Sequence, residues 1–196
     1  MAFTTKQLDT LTESFNIAFG RIGASLSEMT GRRVELRVPL VIMCPLDELK
    51  ATLESFVRGD VAAVAIGVGG GLEGDALLIV DYDAALALTE TFRDQPRAAN
   101  LLDAMDQDAL KEIGNILINA CFGTLSNLMQ TRVDFVVPRL HLDKLDAVIH
   151  SLQREKPVHY ALVVYAAFQL AANQPQGYLL GVLSNASVER LLDSDP

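Results

Sequence analysis

Eight residues carry the chemistry this sequence advertises. Asp9, Glu13, Asn16 and Pro39 recur as Asp108, Glu112, Asn115 and Pro138. Each pair lies 99 positions apart, and 22 residues separate the asparagine from the proline in both copies. At about 100° per residue, the Asp, Glu and Asn of each copy share one narrow stripe of a helix. The stripe holds two carboxylates and a carboxamide, whose oxygen accepts hydrogen bonds while its NH₂ donates them. One E-x-x-N is a weak signal, because short motifs of common residues arise by chance. Two gap-free copies in one register point to an internal duplication that has kept a polar site.

The surrounding residues define the helix that must carry the stripe. Around the first copy, Leu8, Leu11, Phe15, Ala18, Ile22, Leu26 and Met29 fall on the far side, the pattern of a helix buried along one face. The Asp/Glu/Asn stripe is therefore expected to face solvent or a partner. Gly20, Gly23 and Ser27 continue it, small enough to let another protein approach the helix backbone. Apolar positions drift between copies, Phe15 becoming Gly114 and Phe19 becoming Ile118, whereas the polar set stays fixed. That contrast favours a functional site over an ordinary wet helix face.

Thr4 with Gln7 predicts a capped start for the first helix, with Phe3 stapled on Leu8; the helix should run to Met29, and Gly31 should end it. A strand over 33–43 follows. Pro39 inside it has no N–H to donate, so it belongs at an edge or a bulge. A short helix over 45–56, a hairpin of 61–68 with 75–80, and a helix over 82–92 complete the first half. The second half replays this order: a helix over about 103–129, a strand over 132–142 and a short helix over 143–152. A hairpin of 158–170 with 177–183 and a final helix close it, with about four extra residues expected at 172–176. The junction is expected at 94–100. These elements predict an α+β fold: a single domain made of two homologous halves, about 1–98 and 99–196. Its long motif helices should pack on a mainly antiparallel sheet about a pseudo-twofold axis, which leaves one well-separated site per long helix.

Composition removes other classes. Half of the 196 residues are hydrophobic, yet no apolar stretch reaches the roughly 18 residues of a membrane span. A net charge of −9 and no basic cluster argue against nucleic-acid or anionic-lipid surfaces and for a partner with a basic patch. The N-terminal residues lack the pattern of an export signal, and Cys44 and Cys121 read as reduced core residues of a cytoplasmic protein. His141, His150 and His159 have no zinc-type ligand set around them, so no metal or cofactor of the chain's own is expected. The loop 69–74 formally satisfies G-x-G-x-x-G, but a strand follows it where a dinucleotide site needs a helix N-terminus.

The duplicated motif resembles that of the CheC-type phosphatases of bacterial chemotaxis, a family that includes CheC, CheX and FliY. The resemblance spans nearly the whole chain, and two motifs in one chain of this length match the CheC branch. It implies hydrolysis of the aspartyl phosphate of a CheY-type response regulator. It also implies that Asn16 and Asn115 orient water, while Glu13 and Glu112 pair with the regulator's lysine. Asp9, Asp108, Pro39 and Pro138 would support that face. Any Mg²⁺ would be the regulator's. The alternative is a non-catalytic module, like the FliM middle domain, that binds a response regulator or regulates a CheD-type receptor deamidase. The small-residue text after the asparagines differs between copies, Gly20 and Gly23 becoming Asn119 and Phe122, so unequal sites are expected.

Overall fold

The computed structural model describes residues 3–57, 59–93, 101–154, 160–170 and 176–193. Helix α1 (Thr5–Thr30) starts where local chemistry predicts: the Thr4 hydroxyl accepts from Gln7 N, and the Gln7 side chain accepts from Thr4 N. These contacts satisfy two of the N–H groups that a helix start leaves without partners. Phe3 and Leu8 both join the core beneath this turn. Gly31, at φ 64°, takes the left-handed conformation that ends the helix.

Next come β1 (Val34–Pro45), α2 (Leu49–Glu54), β2 (Asp60–Gly70), β3 (Gly74–Asp81) and α3 (Tyr82–Glu90). The second half contains α4 (Ala104–Leu128), β4 (Val133–Phe135), β5 (Arg139–Lys144), α5 (Leu145–Arg154), β6 (Tyr160–Leu170), β7 (Gln176–Leu183) and α6 (Asn185–Asp193). The strand expected over 132–142 is thus two strands, interrupted at 136–138. The junction at 94–100, the extra residues at 172–175, His159 and the Met29 side chain lie outside the described residues.

The seven strands among the described residues form one antiparallel sheet in the order β1-β6-β7-β3-β2, with β4 and β5 lying one after the other along the remaining edge of β2. Each motif helix is followed by a strand that pairs with the other half of the sequence: β1 with β6, and β4 and β5 with β2. Neither half therefore completes its own sheet.

Alternating side chains give the sheet two apolar faces. On β2, Ala62, Val64, Ile66 and Val68 enter the cluster beneath α1, α3, α4 and α6, while Val61 and Ala63 enter the cluster beneath α2 and α5. Phe15, Phe19 and Phe122 are fully buried in the first cluster, each worth roughly 1.5–3 kcal/mol of transfer free energy. Both long motif helices lie on this face and touch each other.

Glycines set how closely the two helices approach the sheet. A Cβ at Gly114 would sit 2.7 Å from the Val64 side chain, and one at Gly23 would sit 3.0 Å from Val34 O. The stripe of small residues on α1 is thus largely filled by the chain's own β1, not by a visiting protein; among the described residues nothing lies close above Gly20. Among the described residues no helix is long and apolar enough to cross a membrane.

Candidate active site

On α1, Asp9 and Glu13 are exposed and make no hydrogen bond or ion pair with any described residue. Asn16 behaves differently. Its Nδ2 donates to Val38 O at 2.8 Å and to Thr12 O at 3.0 Å, and its Oδ1 accepts from Val38 N at 2.8 Å. The cause lies at Pro39, which removes a donor from edge strand β1. The register with β6 shifts between Arg37 and Leu40, and Val38 drops out of the ladder. Val38 is 1% exposed, so its N–H and C=O would each cost about 1–3 kcal/mol if left without partners. The Asn16 amide has the donor and acceptor of a peptide group and stands in for the missing strand. Further along, the Ser27 hydroxyl accepts from Val34 N and donates to Val34 O.

On α4 the same residue types are arranged another way. Asp108 is exposed and pairs with Lys111 at 2.6 Å, a surface pair of little energetic weight. Glu112 is exposed and makes no hydrogen bond or ion pair with any described residue. Asn115 is half-buried; its Oδ1 accepts from Asn119 Nδ2 at 2.9 Å, and its own NH₂ has no partner among the described residues. No described strand residue takes this amide. The chain leaves β4 at Phe135, Val136 N donates to Gly67 O, and Val137 stands 78% exposed beside Pro138. On the helical wheel Met105 shares the stripe of Asp108, Glu112 and Asn115, and both it and Leu101 are exposed.

The start of α4 is fixed by charge. Asp103 caps it by accepting from Asp106 N, while the buried Asp106 carboxylate accepts from Asp103 N and from Arg93. The hydrogen bond from Asp106 N, then that from Arg93, holds the Asp103 carboxyl below its ordinary range. Burial alone pushes the Cys121 thiol well up, which makes it an inert core group. Among the described residues no His/Cys/Asp/Glu cluster suited to a metal ion occurs.

All eight residues expected from the sequence sit on or beside the two long helices. Asp9, Glu13, Asp108 and Glu112 are solvent-facing as expected, and both asparagines are half-buried. What sequence reading missed is the bond from Asn16 to Val38 and the contact of Asn119 with Asn115. The first was visible only as a constant 22-residue spacing, the second only as Asn119 standing where the first copy has Gly20.

No protein-family model matches the chain. The Bacillus subtilis (strain 168) protein named CheY-P phosphatase CheC is 28% identical over 166 residues, which covers 81% of this chain and 78% of that protein. Among solved structures, Thermotoga maritima FliY superposes with a TM-score of 0.77 at 20% identity, covering 100% of this chain and 98% of that one. The FliM middle domain from H. pylori gives a TM-score of 0.71 at 9% identity, covering 98% and 99%. The chemotaxis protein CheX from Desulfovibrio desulfuricans gives 0.53 at 14%, covering 89% and 99%. The helix-on-antiparallel-sheet fold that carries the two E-x-x-N helices is thus the fold shared by FliY and the FliM middle domain. In sequence the chain is similar to a CheC protein, and in fold to FliY and CheX.

Proposed function

We propose that this chain is a phosphatase for the aspartyl phosphate of a CheY-type response regulator, and that α4 carries its working site. The observation that carries this reading is the Asn115 amide: it is braced by Asn119, its NH₂ is uncommitted, and it lies one helical turn from the exposed Glu112. The 28% identity to a CheY-P phosphatase supports the substrate class.

An acyl phosphate is already activated, so a helper protein needs mainly to place water in line and offer hydrogen bonds to the phosphoryl group. The free NH₂ of Asn115 donates to a phosphoryl oxygen, and the second lone pair of its Oδ1 receives the attacking water. The water oxygen bonds to phosphorus as the P–O bond to the aspartyl carboxyl breaks. The products are a free aspartate and inorganic phosphate, which takes up the water's remaining proton or passes it to solvent. Glu112 pairs with the regulator's lysine, Asp108 extends the acidic face, and Leu101 and Met105 add apolar contact at its edge. Mg²⁺ comes with the regulator, and the chain supplies no cofactor of its own.

In this reading Glu13 and Asp9 form a second acidic face that can hold a regulator, while Asn16 is committed to the fold. The two motifs descend from one duplicated half, and the first has kept its proline for the bulge that Asn16 repairs. Phosphate release from a phosphorylated CheY-type regulator tests the proposal: turnover that survives in Asn115→Ala at the wild-type rate would remove it.

A further inference from the structure

We infer that Asn119 is the positioning residue of the α4 site and that its carboxamide, absent at Gly20, lets Asn115 work on a substrate while Asn16 serves the fold. The inference rests on the proposed phosphatase reading. Residues four apart on a helix stand one above the other, and Asn119 Nδ2 meets Asn115 Oδ1 at 2.9 Å. An amide's oxygen and nitrogen diverge from one carbon. Holding the oxygen against Asn119 therefore turns the NH₂ away from it, and that NH₂ has no partner among the described residues. One rotamer is thereby selected before any substrate arrives, the kind of preorganisation that positioning catalysis needs.

The first copy shows the other outcome. Gly20 offers no donor, and the Asn16 oxygen accepts from Val38 N instead. Among the described residues nothing lies within 4 Å of where a Cβ on Gly20 would be, so crowding by them does not explain the missing side chain. The same motif asparagine therefore has two fates, and they differ in whether its oxygen is held by a side chain one turn away or by a strand.

The test uses the full-length chain and two substitutions at Asn119. Asn119→Leu keeps the volume and removes the donor, whereas Asn119→Gln keeps an NH₂ within reach. With a phosphorylated CheY-type regulator, Asn119→Leu is expected to lower kcat about tenfold, the equivalent of one modest hydrogen bond lost from the transition state. KM should stay within about twofold, because no contact with the regulator is removed. Asn119→Gln should recover most of the lost kcat. Wild-type kcat in Asn119→Leu, or equal losses in both variants, would overturn the inference. Nuclear magnetic resonance of the Asn115 side-chain NH₂ provides a readout independent of activity. Its two proton resonances should be distinct and slow to exchange in the wild type and should shift toward free-amide values in Asn119→Leu. An unchanged NH₂ signal in that variant would sink the positioning role. An inactive wild type that still shows the shift would remove the phosphatase reading and leave the bracing contact standing.

Discussion

Asn16 holds both backbone polar atoms of Val38, donating to its carbonyl and accepting from its N–H at 2.8 Å each. A motif residue expected to meet solvent is therefore part of the hydrogen-bonding of the sheet edge. Asn16→Ala should destabilise the protein by about 1–3 kcal/mol, the cost of leaving buried backbone groups without partners. Asn115→Ala should cost less, about 0.5–1 kcal/mol, because it removes one side-chain hydrogen bond on a half-buried face and leaves no buried backbone group without a partner. Urea titrations followed by circular dichroism measure both, and equal midpoints for the two variants would contradict the structural role of Asn16.

Turnover should divide the other way. Asn115→Ala is expected to lower kcat by about 100-fold, in the range lost when a reacting group is misplaced by an ångström. Asn16→Ala, measured at a temperature where it remains folded, should retain most of the wild-type rate. Steady-state phosphate release decides this, and comparable kcat losses in both variants would mean that α1 carries a working site too.

Glu112→Ala should act on binding. Removing one member of a close charge pair across an interface costs about 1.4 kcal/mol or more, a tenfold rise in Kd, while kcat at saturating regulator should change little. Because the pair is electrostatic, the wild-type affinity should also fall with added salt, and the variant's less so. Fluorescence titration with the regulator at two ionic strengths reads both effects.

Tyr178 is 3% exposed, and its hydroxyl has no hydrogen-bond partner among the described residues. Its ring is packed between Phe56 and Tyr165, and burial pushes its ionisation well up. Tyr178→Phe removes an unmet polar group and keeps the packing, so it should raise stability by about 1 kcal/mol. A lower melting temperature in this variant would show that the hydroxyl has a partner in solution.

Asp103 links stability to acid. Its carboxyl titrates below the ordinary range because Asp106 N and Arg93 bind the charged form. A folded-state pKa below the unfolded one adds stability above the unfolded value, about pH 3.9. That stability disappears as pH falls through the depressed folded value. Asp103→Ala should therefore melt lower than wild type at neutral pH, and the gap should close in strong acid. A gap that stays constant from pH 7 to pH 2 would show that the cap works through geometry alone.

Local chemistry was legible in the sequence wherever neighbouring residues decide the outcome. Thr4 with Gln7, Gly31 and the apolar face through Leu11 and Phe15 specify α1 without reference to anything distant, and the repeat at constant spacing exposed both stripes. Pro39 announced a bulge because a residue without an N–H cannot serve a ladder. The sequence could not show which backbone groups that bulge would orphan, because Val38 loses its partner only when β1 is laid against β6 from the other half of the chain. For the same reason the second strand read as continuous but breaks at 136–138, where Val136 is bonded to Gly67 of β2. The identity of each motif was local. The commitment of Asn16 depends on where β6 leaves β1 unpaired, which only the folded sheet decides, whereas Asn115 is held by Asn119 one turn along its own helix.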